Sequence, residues 1–150
     1  MTSFLVSAAV AFVMGATPAA HTGPKLTVCE TVTSRYRAIG VSTEWREGER
    51  FNLMLSSDAP FLTNYVGVVI HHHGQDGQED AFVREWQIPV EDMTRTQAYG
   101  TAYGLTPLAA GTYTIYAVDW RTRDVPEEFA PLTEYLDKVT ITIKPRYAQN

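Results

Sequence analysis

Cysteine, basic residues, long apolar runs and the short motifs of known enzymes are scarce or missing in this sequence. The 150 residues include one cysteine, Cys29, which excludes a disulfide within the chain. The 12 Lys and Arg are scattered among 17 Asp and Glu, and the net charge of −5 argues against nucleic acid or an anionic membrane as the main partner. The sequence contains no G-x-S-x-G, no H-E-x-x-H and no phosphate-binding glycine loop, so we predict that the protein is not an enzyme.

The N-terminus is apolar but too short to span a membrane comfortably. The run Phe4–Gly15 is uncharged and is followed by the small residues ATPAA. A membrane span needs about 20 apolar residues, whereas a short run before small residues is typical of a signal peptide. We therefore predict a signal peptide over residues 1–20 and a single domain over residues 21–150, which is exported to the periplasm or outside the cell. No membrane span is expected after cleavage. The alternative is that this run forms an N-terminal strand or helix of the core.

The rest of the chain has the pattern of a β protein with an ordinary globular composition, 45% hydrophobic and 19% charged. Strand-like stretches are Leu26–Val32, Arg50–Ser56, Asn64–His73, Ala81–Pro89, Thr112–Trp120 and Asp137–Lys144. The polar loop Gly74–Asp80 predicts a hairpin, and Thr112–Trp120 is apolar on both faces, as a central strand is. Pro126–Leu136 begins like a short helix, with a kink at Pro131. We predict an all-β, antiparallel β-sandwich with one short helical insertion before the last strand.

Several of these features occur together in a known family. A charged turn at Gly48 enters RFNLML, a glycine-containing hairpin follows, and an L-x-x-G-x-Y corner from Leu108 to Tyr113 enters the penultimate strand. With its alternating last strand, the chain resembles the immunoglobulin-like or fibronectin-III-like modules of secreted bacterial proteins over Leu26–Lys144. The paired cysteines of antibody domains are absent, and Pro126–Leu136 is a further departure. The resemblance implies a sandwich in which Asn64–His73 lies beside Thr112–Trp120.

In such a sandwich, the outward sides of these two strands form one aromatic, histidine-edged surface. The candidate binding residues on it are Tyr65, His71, His73, Tyr116 and Trp120. Aromatic residues are enriched at interface centres, so we predict a non-catalytic module that binds a protein, peptide or glycan through this surface. The alternative is that Pro126–Leu136 covers the surface as ordinary core. We expect a partial cover, with Tyr116, Val118 and Trp120 beneath or beside it and with His71 and His73 at its rim.

The histidine triplet gives a second interpretation. Two imidazoles at i and i+2 of a strand point the same way, so His71 and His73 could share copper or zinc in a periplasmic carrier protein. A tight site needs further ligands, and the remaining histidine, His21, would serve only as a cleaved N-terminus that chelates copper. Our main prediction is that the protein has no cofactor, and copper or zinc at His71 and His73 is the alternative.

Overall fold

The computed structural model describes residues 23–92, 94–101, 108–119 and 134–147. Within these ranges the chain forms nine strands and no helix. The strands are β1 Lys25–Val32, β2 Ala38–Val41, β3 Glu44–Arg46, β4 Asn52–Ser56, β5 Tyr65–His73, β6 Glu79–Pro89, β7 Gln97–Thr101, β8 Gly111–Val118 and β9 Asp137–Lys144. The described part of the chain therefore holds no helix of the length and apolarity that crossing a membrane requires.

The strands form two sheets. One is antiparallel, in the order β2-β1-β4-β7, and the other is mixed, in the order β3-β9-β8-β5-β6, with β3 parallel to β9. One hydrophobic core contains buried side chains from both sheets, for example Leu53 and Leu55 of β4 with Val68 and Ile70 of β5. This all-β, two-sheet arrangement is consistent with the predicted β-sandwich. It is not wholly antiparallel as predicted, because β3 pairs with β9 in parallel. The predicted helical insertion lies mostly outside the described residues, and the part that is described, Glu134–Leu136, is not helical.

Strand β8 is the centre of the larger sheet, as its sequence predicted. It pairs with β9 on one side and with β5 on the other, and every residue from Tyr113 to Val118 is buried. Ile115 and Ala117 face the main core, whereas Tyr116 and Val118 form a second buried cluster with Val69. A strand between two others, covered on both faces, needs apolar side chains on both sides.

Strand β6 departs from the predicted alternation. Phe82, Arg84, Trp86 and Ile88 were expected on one face, but Ile70 pairs with Arg84 while the next residue, His71, pairs with Phe82. The extra residue, Val83, is a β-bulge. Because paired residues point to the same side of a sheet, the bulge turns Phe82 to the outer face with His71 and leaves Arg84 on the inner face.

Three short strands were not predicted as strands. Strands β2, β3 and β7 lie outside the strand-like stretches of the sequence, and β3 comes directly before the charged turn at Gly48. In β7, a Cβ on Gly100 would lie 2.6 Å from the Ile88 side chain. A glycine is therefore required where β7 approaches β6 of the other sheet.

Two hydrogen bonds, one between residues far apart in sequence and one local, fix the ends of the strands. The backbone N–H of Leu26 donates a 2.6 Å hydrogen bond to the Asp137 carboxylate, which joins the first strand to the last. At the corner before β8, the Tyr113 hydroxyl donates to the backbone oxygen of Ala109. These bonds fix the ends of the strands that carry the outer face of the larger sheet.

Candidate functional site

The outer face of the five-stranded sheet brings together four of the five predicted binding residues. Strands β5 and β8 are paired as expected, with Val69 opposite Tyr116 and His71 opposite Thr114. The alternation along β5 places Tyr65, His71 and His73 on this face with Tyr116. The fifth residue, Trp120, lies outside the described residues.

Four rings follow one another across this face. The ring centroids of Phe82 and His71 are 6.3 Å apart, those of His71 and Tyr116 are 5.4 Å apart, and those of Tyr116 and Tyr135 are 5.3 Å apart, all edge to face. We call these four residues the aromatic row. Its middle is buried, with His71 2% and Tyr116 0% exposed, whereas Phe82 and Tyr135 at its ends are each 41% exposed. Edge-to-face pairs add to the energy of burial, so the row is a packed and oriented unit.

The expected cover over Tyr116 is present in part. Tyr135, which belongs to Pro126–Leu136, packs against Tyr116, and the Leu136 backbone N–H donates a 2.7 Å hydrogen bond to the Ala117 oxygen. The rest of that segment, residues 126–133, lies outside the described residues. His71 was expected at the rim, but it is buried because the bulge in β6 places Phe82 directly opposite it.

A lysine lies over the end of the row. Lys138 is opposite Tyr116 in the register of β8 and β9, and its ammonium nitrogen is 5.7 Å from the Tyr116 centroid and 5.3 Å from the Tyr135 centroid. A cation over an aromatic face is attracted by the electron density of the ring. Lys138 therefore lies near both rings and gives this end of the row a positive charge.

His73 is held differently from His71. Its Nε2 shares a 2.7 Å hydrogen bond with the Thr114 hydroxyl, which lies 3.3 Å from the hydroxyl of Thr140. Thr114 is buried, so this bond fixes the half-buried imidazole at the edge of the face. Tyr65 is on the same face near the other end of β5 and is 49% exposed.

The described residues include no group of three or more His, Cys, Asp or Glu side chains that could hold a metal ion. His21, the other candidate ligand, lies outside the described ranges. Cys29 is a free, buried thiol in β1. Burial raises its pKa, and a hydrogen bond with the Ile39 backbone opposes this. A thiol of this kind is a poor nucleophile and a poor metal ligand.

The sequence did not predict a pocket at one end of the molecule. It has a volume of about 440 Å³ and lies between the β4–β5 loop, the start of β5 and the segments next to β8 and β9. Its apolar wall includes Phe61, Leu62, Val66, Val118 and Leu136. We call it the end pocket. The sequence signal for it was the apolar pair Phe61-Leu62 directly after the chain-breaking Pro60.

The β4–β5 loop that forms one side of the end pocket is held by an arginine. The guanidinium of Arg95 donates to the backbone oxygens of Phe61 at 3.2 Å and Thr63 at 2.6 Å, and to the Asn64 side chain at 3.0 Å. The Phe61 N–H in turn donates to the Arg95 oxygen at 2.7 Å. Four hydrogen bonds to one residue make this side of the pocket a preformed surface.

Comparison with known proteins gives no relative from which a function could be transferred. No protein-family model matches the chain, and no curated protein matches it. The geometry of the aromatic row and of the end pocket is therefore what indicates a function.

Proposed function

We propose that this protein is an exported, non-catalytic binding module with an immunoglobulin-like fold, which binds a protein or peptide partner through the outer face of its five-stranded sheet. The immunoglobulin-like topology is supported by the strand order, in which short β3 runs parallel to β9 at the edge of the larger sheet. It is also supported by the corner at Leu108–Tyr113, where the tyrosine hydroxyl bonds back to the preceding turn.

The observation that carries the binding proposal is the aromatic row. Phe82 and Tyr135 present large apolar surfaces to solvent, while His71 and Tyr116 between them are buried and fix their orientation. An anchor that is already ordered loses little side-chain entropy when a partner binds. Half-exposed aromatic residues on a sheet, as Phe82 is, or packed against its face, as Tyr135 is, are of the type that dominates interface energies.

The polar groups around the row favour a protein or peptide over a purely apolar ligand. Lys138 is exposed at one end, and His73 and Thr140 lie on the same face beside the buried Thr114. A protein interface combines an apolar centre with a rim of hydrogen-bonding and charged groups. This face has that composition over β5, β8 and β9.

A peptide library displayed on phage tests which surface of the protein binds. Binders selected against the purified protein are measured against a Phe82→Ala, Tyr135→Ala double variant. We expect their affinity to fall at least about tenfold, because truncating an aromatic anchor removes most of what it contributes to binding. Both side chains are partly exposed, so circular dichroism should show the same fold in the variant.

The matched control is Ile39→Ala, Val41→Ala, which removes two exposed apolar side chains from β2 of the other sheet. Binders that respond to this control but not to the double variant would contradict the proposal, as would binders that respond to neither. Export is tested separately by mass spectrometry of the mature protein from its host. An intact Met1 in a cytoplasmic fraction would contradict it.

A further inference from the structure

The end pocket is a concave site that shares no residue with the aromatic row. It opens where the β4–β5 loop, Val66 at the start of β5 and Leu136 before β9 meet, whereas the row crosses the outer face towards the other end of β5. Its volume of about 440 Å³ is within the range of small-molecule sites. Apolar side chains make up most of its wall, and a ligand there would remove them from water.

One side of the pocket is ordered before any ligand binds. The backbone oxygens of Phe61 and Thr63 are bound by the Arg95 guanidinium, and the Ser57 N–H donates to the Thr96 oxygen at 2.9 Å. The Ala59 N–H is also bound, by the Ser57 hydroxyl at 3.2 Å. A wall fixed at this many points does not have to be reorganised when a ligand enters, which favours binding.

The charged side chains among the described lining residues of the end pocket are both acidic. Asp58 and Asp119 are among the residues that line the pocket, and no Lys, Arg or His is among the described lining residues. The Arg95 guanidinium lies behind the wall, where the backbone oxygens of Phe61 and Thr63 accept its hydrogen bonds. Asp58 is exposed at the mouth, where a ligand can approach it from water. Acidic groups beside an apolar cavity favour a ligand with a complementary positive charge and disfavour an anion.

We propose that the end pocket binds a small amphipathic amine, with its apolar body against Phe61, Val66, Val118 and Leu136 and its ammonium group at Asp58. The apolar wall accounts for the body of the ligand, and the exposed Asp58 carboxylate accounts for its charge. The pocket and the aromatic row share no residue, although Val118 of the pocket lies in one buried cluster with Tyr116 of the row.

Three probes of similar shape and different charge test the proposal on the full protein: phenylbutylamine, phenylbutanol and phenylbutanoate. Binding is followed by NMR of the valine and leucine methyl groups. We expect saturable shifts at Val66, Val118 and Leu136, with millimolar affinity for ligands of this size. The amine should bind at least about threefold more tightly than the alcohol, and the acid most weakly, since a partly exposed charge pair contributes modestly.

Three variants test separately whether the charge at Asp58 and the open space of the pocket are needed for binding. Asp58→Asn should lower the affinity for the amine to about that of the alcohol, whereas Asp76→Asn, an equal change of charge on the β5–β6 hairpin, should leave it unchanged. Ala59→Trp places bulk on the exposed side of the pocket and should weaken all three probes. Absence of saturable shifts at these methyl groups, or equal affinity for the amine and the acid, would overturn the proposal.

Discussion

The phenol hydroxyl of Tyr113 donates a 2.8 Å hydrogen bond to the backbone oxygen of Ala109, four residues earlier in the chain. Burial raises the pKa of Tyr113, Arg84 opposes this, and Glu47 adds to it, so the hydroxyl keeps its proton and remains a donor. The bond connects the corner at Leu108–Tyr113 to β8, which pairs with both β5 and β9. It therefore fixes the start of the strand that holds the middle of the larger sheet.

We predict that Tyr113→Phe lowers the free energy of unfolding by about 1–2 kcal/mol, because it removes the donor and leaves the Ala109 oxygen unsatisfied. Urea denaturation measures the loss. Tyr147→Phe, on a side chain that is largely exposed, is the matched control and should have no measurable effect. Equal stability of the two variants would show that the corner does not depend on this bond.

The strands that could be predicted are those whose own side chains alternate. Asp137–Lys144 was predicted to the residue, because Val139, Ile141 and Ile143 all contact the core and Thr140 and Thr142 do not. Strand β2 could not be predicted in this way. Ile39 and Val41 are exposed, and Gly40 between them has a φ of +66°, so β2 is defined by its pairing with β1 and not by its own pattern.

The candidate site, like the fold, could be predicted from the sequence only in part. The pairing of β5 with β8, and hence the shared face of His71 and Tyr116, followed from the period of the two strands and the family resemblance. The contact of His71 with Phe82 depends on a bulge in β6, and no pattern in the local sequence predicted that bulge. The end pocket depends on Arg95 reaching a loop about thirty residues earlier in the chain, and contacts of that kind appear only once the chain is folded.

His71 should contribute to stability through packing. We predict that His71→Ala lowers the free energy of unfolding by about 2 kcal/mol or more, since it leaves a cavity between Phe82 and Tyr116. His73→Ala should cost about 1 kcal/mol, the value of a typical hydrogen bond to Thr114. Thermal and urea unfolding measure both. A His71→Ala variant as stable as wild type would contradict the packing role.

The same two variants test the metal interpretation of the sequence. Because His71 is enclosed by rings and His73 is bonded to Thr114, we expect no micromolar binding of zinc or copper that depends on these residues. Isothermal titration calorimetry measures this with the wild type and with the His71→Ala, His73→Ala double variant. Tight binding that disappears in the double variant would favour a metal carrier over a non-metal binding module.

The turn before β7 should be sensitive to acid. Burial acts to raise the pKa of Asp92, but hydrogen bonds from Thr94, Gln97 and Thr96 outweigh it and hold the pKa below its usual range. A carboxylate with a lowered pKa in the folded state stabilises the fold above its unfolded pKa of about 3.9, and this stabilisation is lost as the pH falls through the folded value.

We therefore predict that Asp92→Asn destabilises the protein at pH 6 and that the difference from wild type shrinks between about pH 4 and pH 2. Urea unfolding across this range measures the difference. Glu91→Gln, a neighbouring acid for which the structure gives no such set of hydrogen bonds, is the control and should not show this trend. A difference that stays constant with pH would contradict the assignment to Asp92.

Arg95 should be the residue that keeps the end pocket open and ordered. Its backbone has a φ of +60°, which costs a non-glycine residue roughly 1 kcal/mol, so the hydrogen bonds of its guanidinium must more than offset this. Arg95→Gly relieves the backbone and removes the bonds to Phe61, Thr63 and Asn64. We predict that the loss of these hydrogen bonds outweighs the relief of backbone strain. The Phe61 amide should then exchange with solvent at least about tenfold faster than in the wild type.

Hydrogen exchange measured by NMR separates this local effect from global unfolding. Amides of β8, such as that of Ile115, should exchange in Arg95→Gly as they do in the wild type, because that strand lies between β5 and β9. Arg95→Lys keeps the charge but cannot reach three acceptors with a planar fork, so it should resemble the glycine variant more than the wild type. If both variants protect Phe61 as well as the wild type does, the loop is held by its own turns and the wall of the pocket does not depend on Arg95.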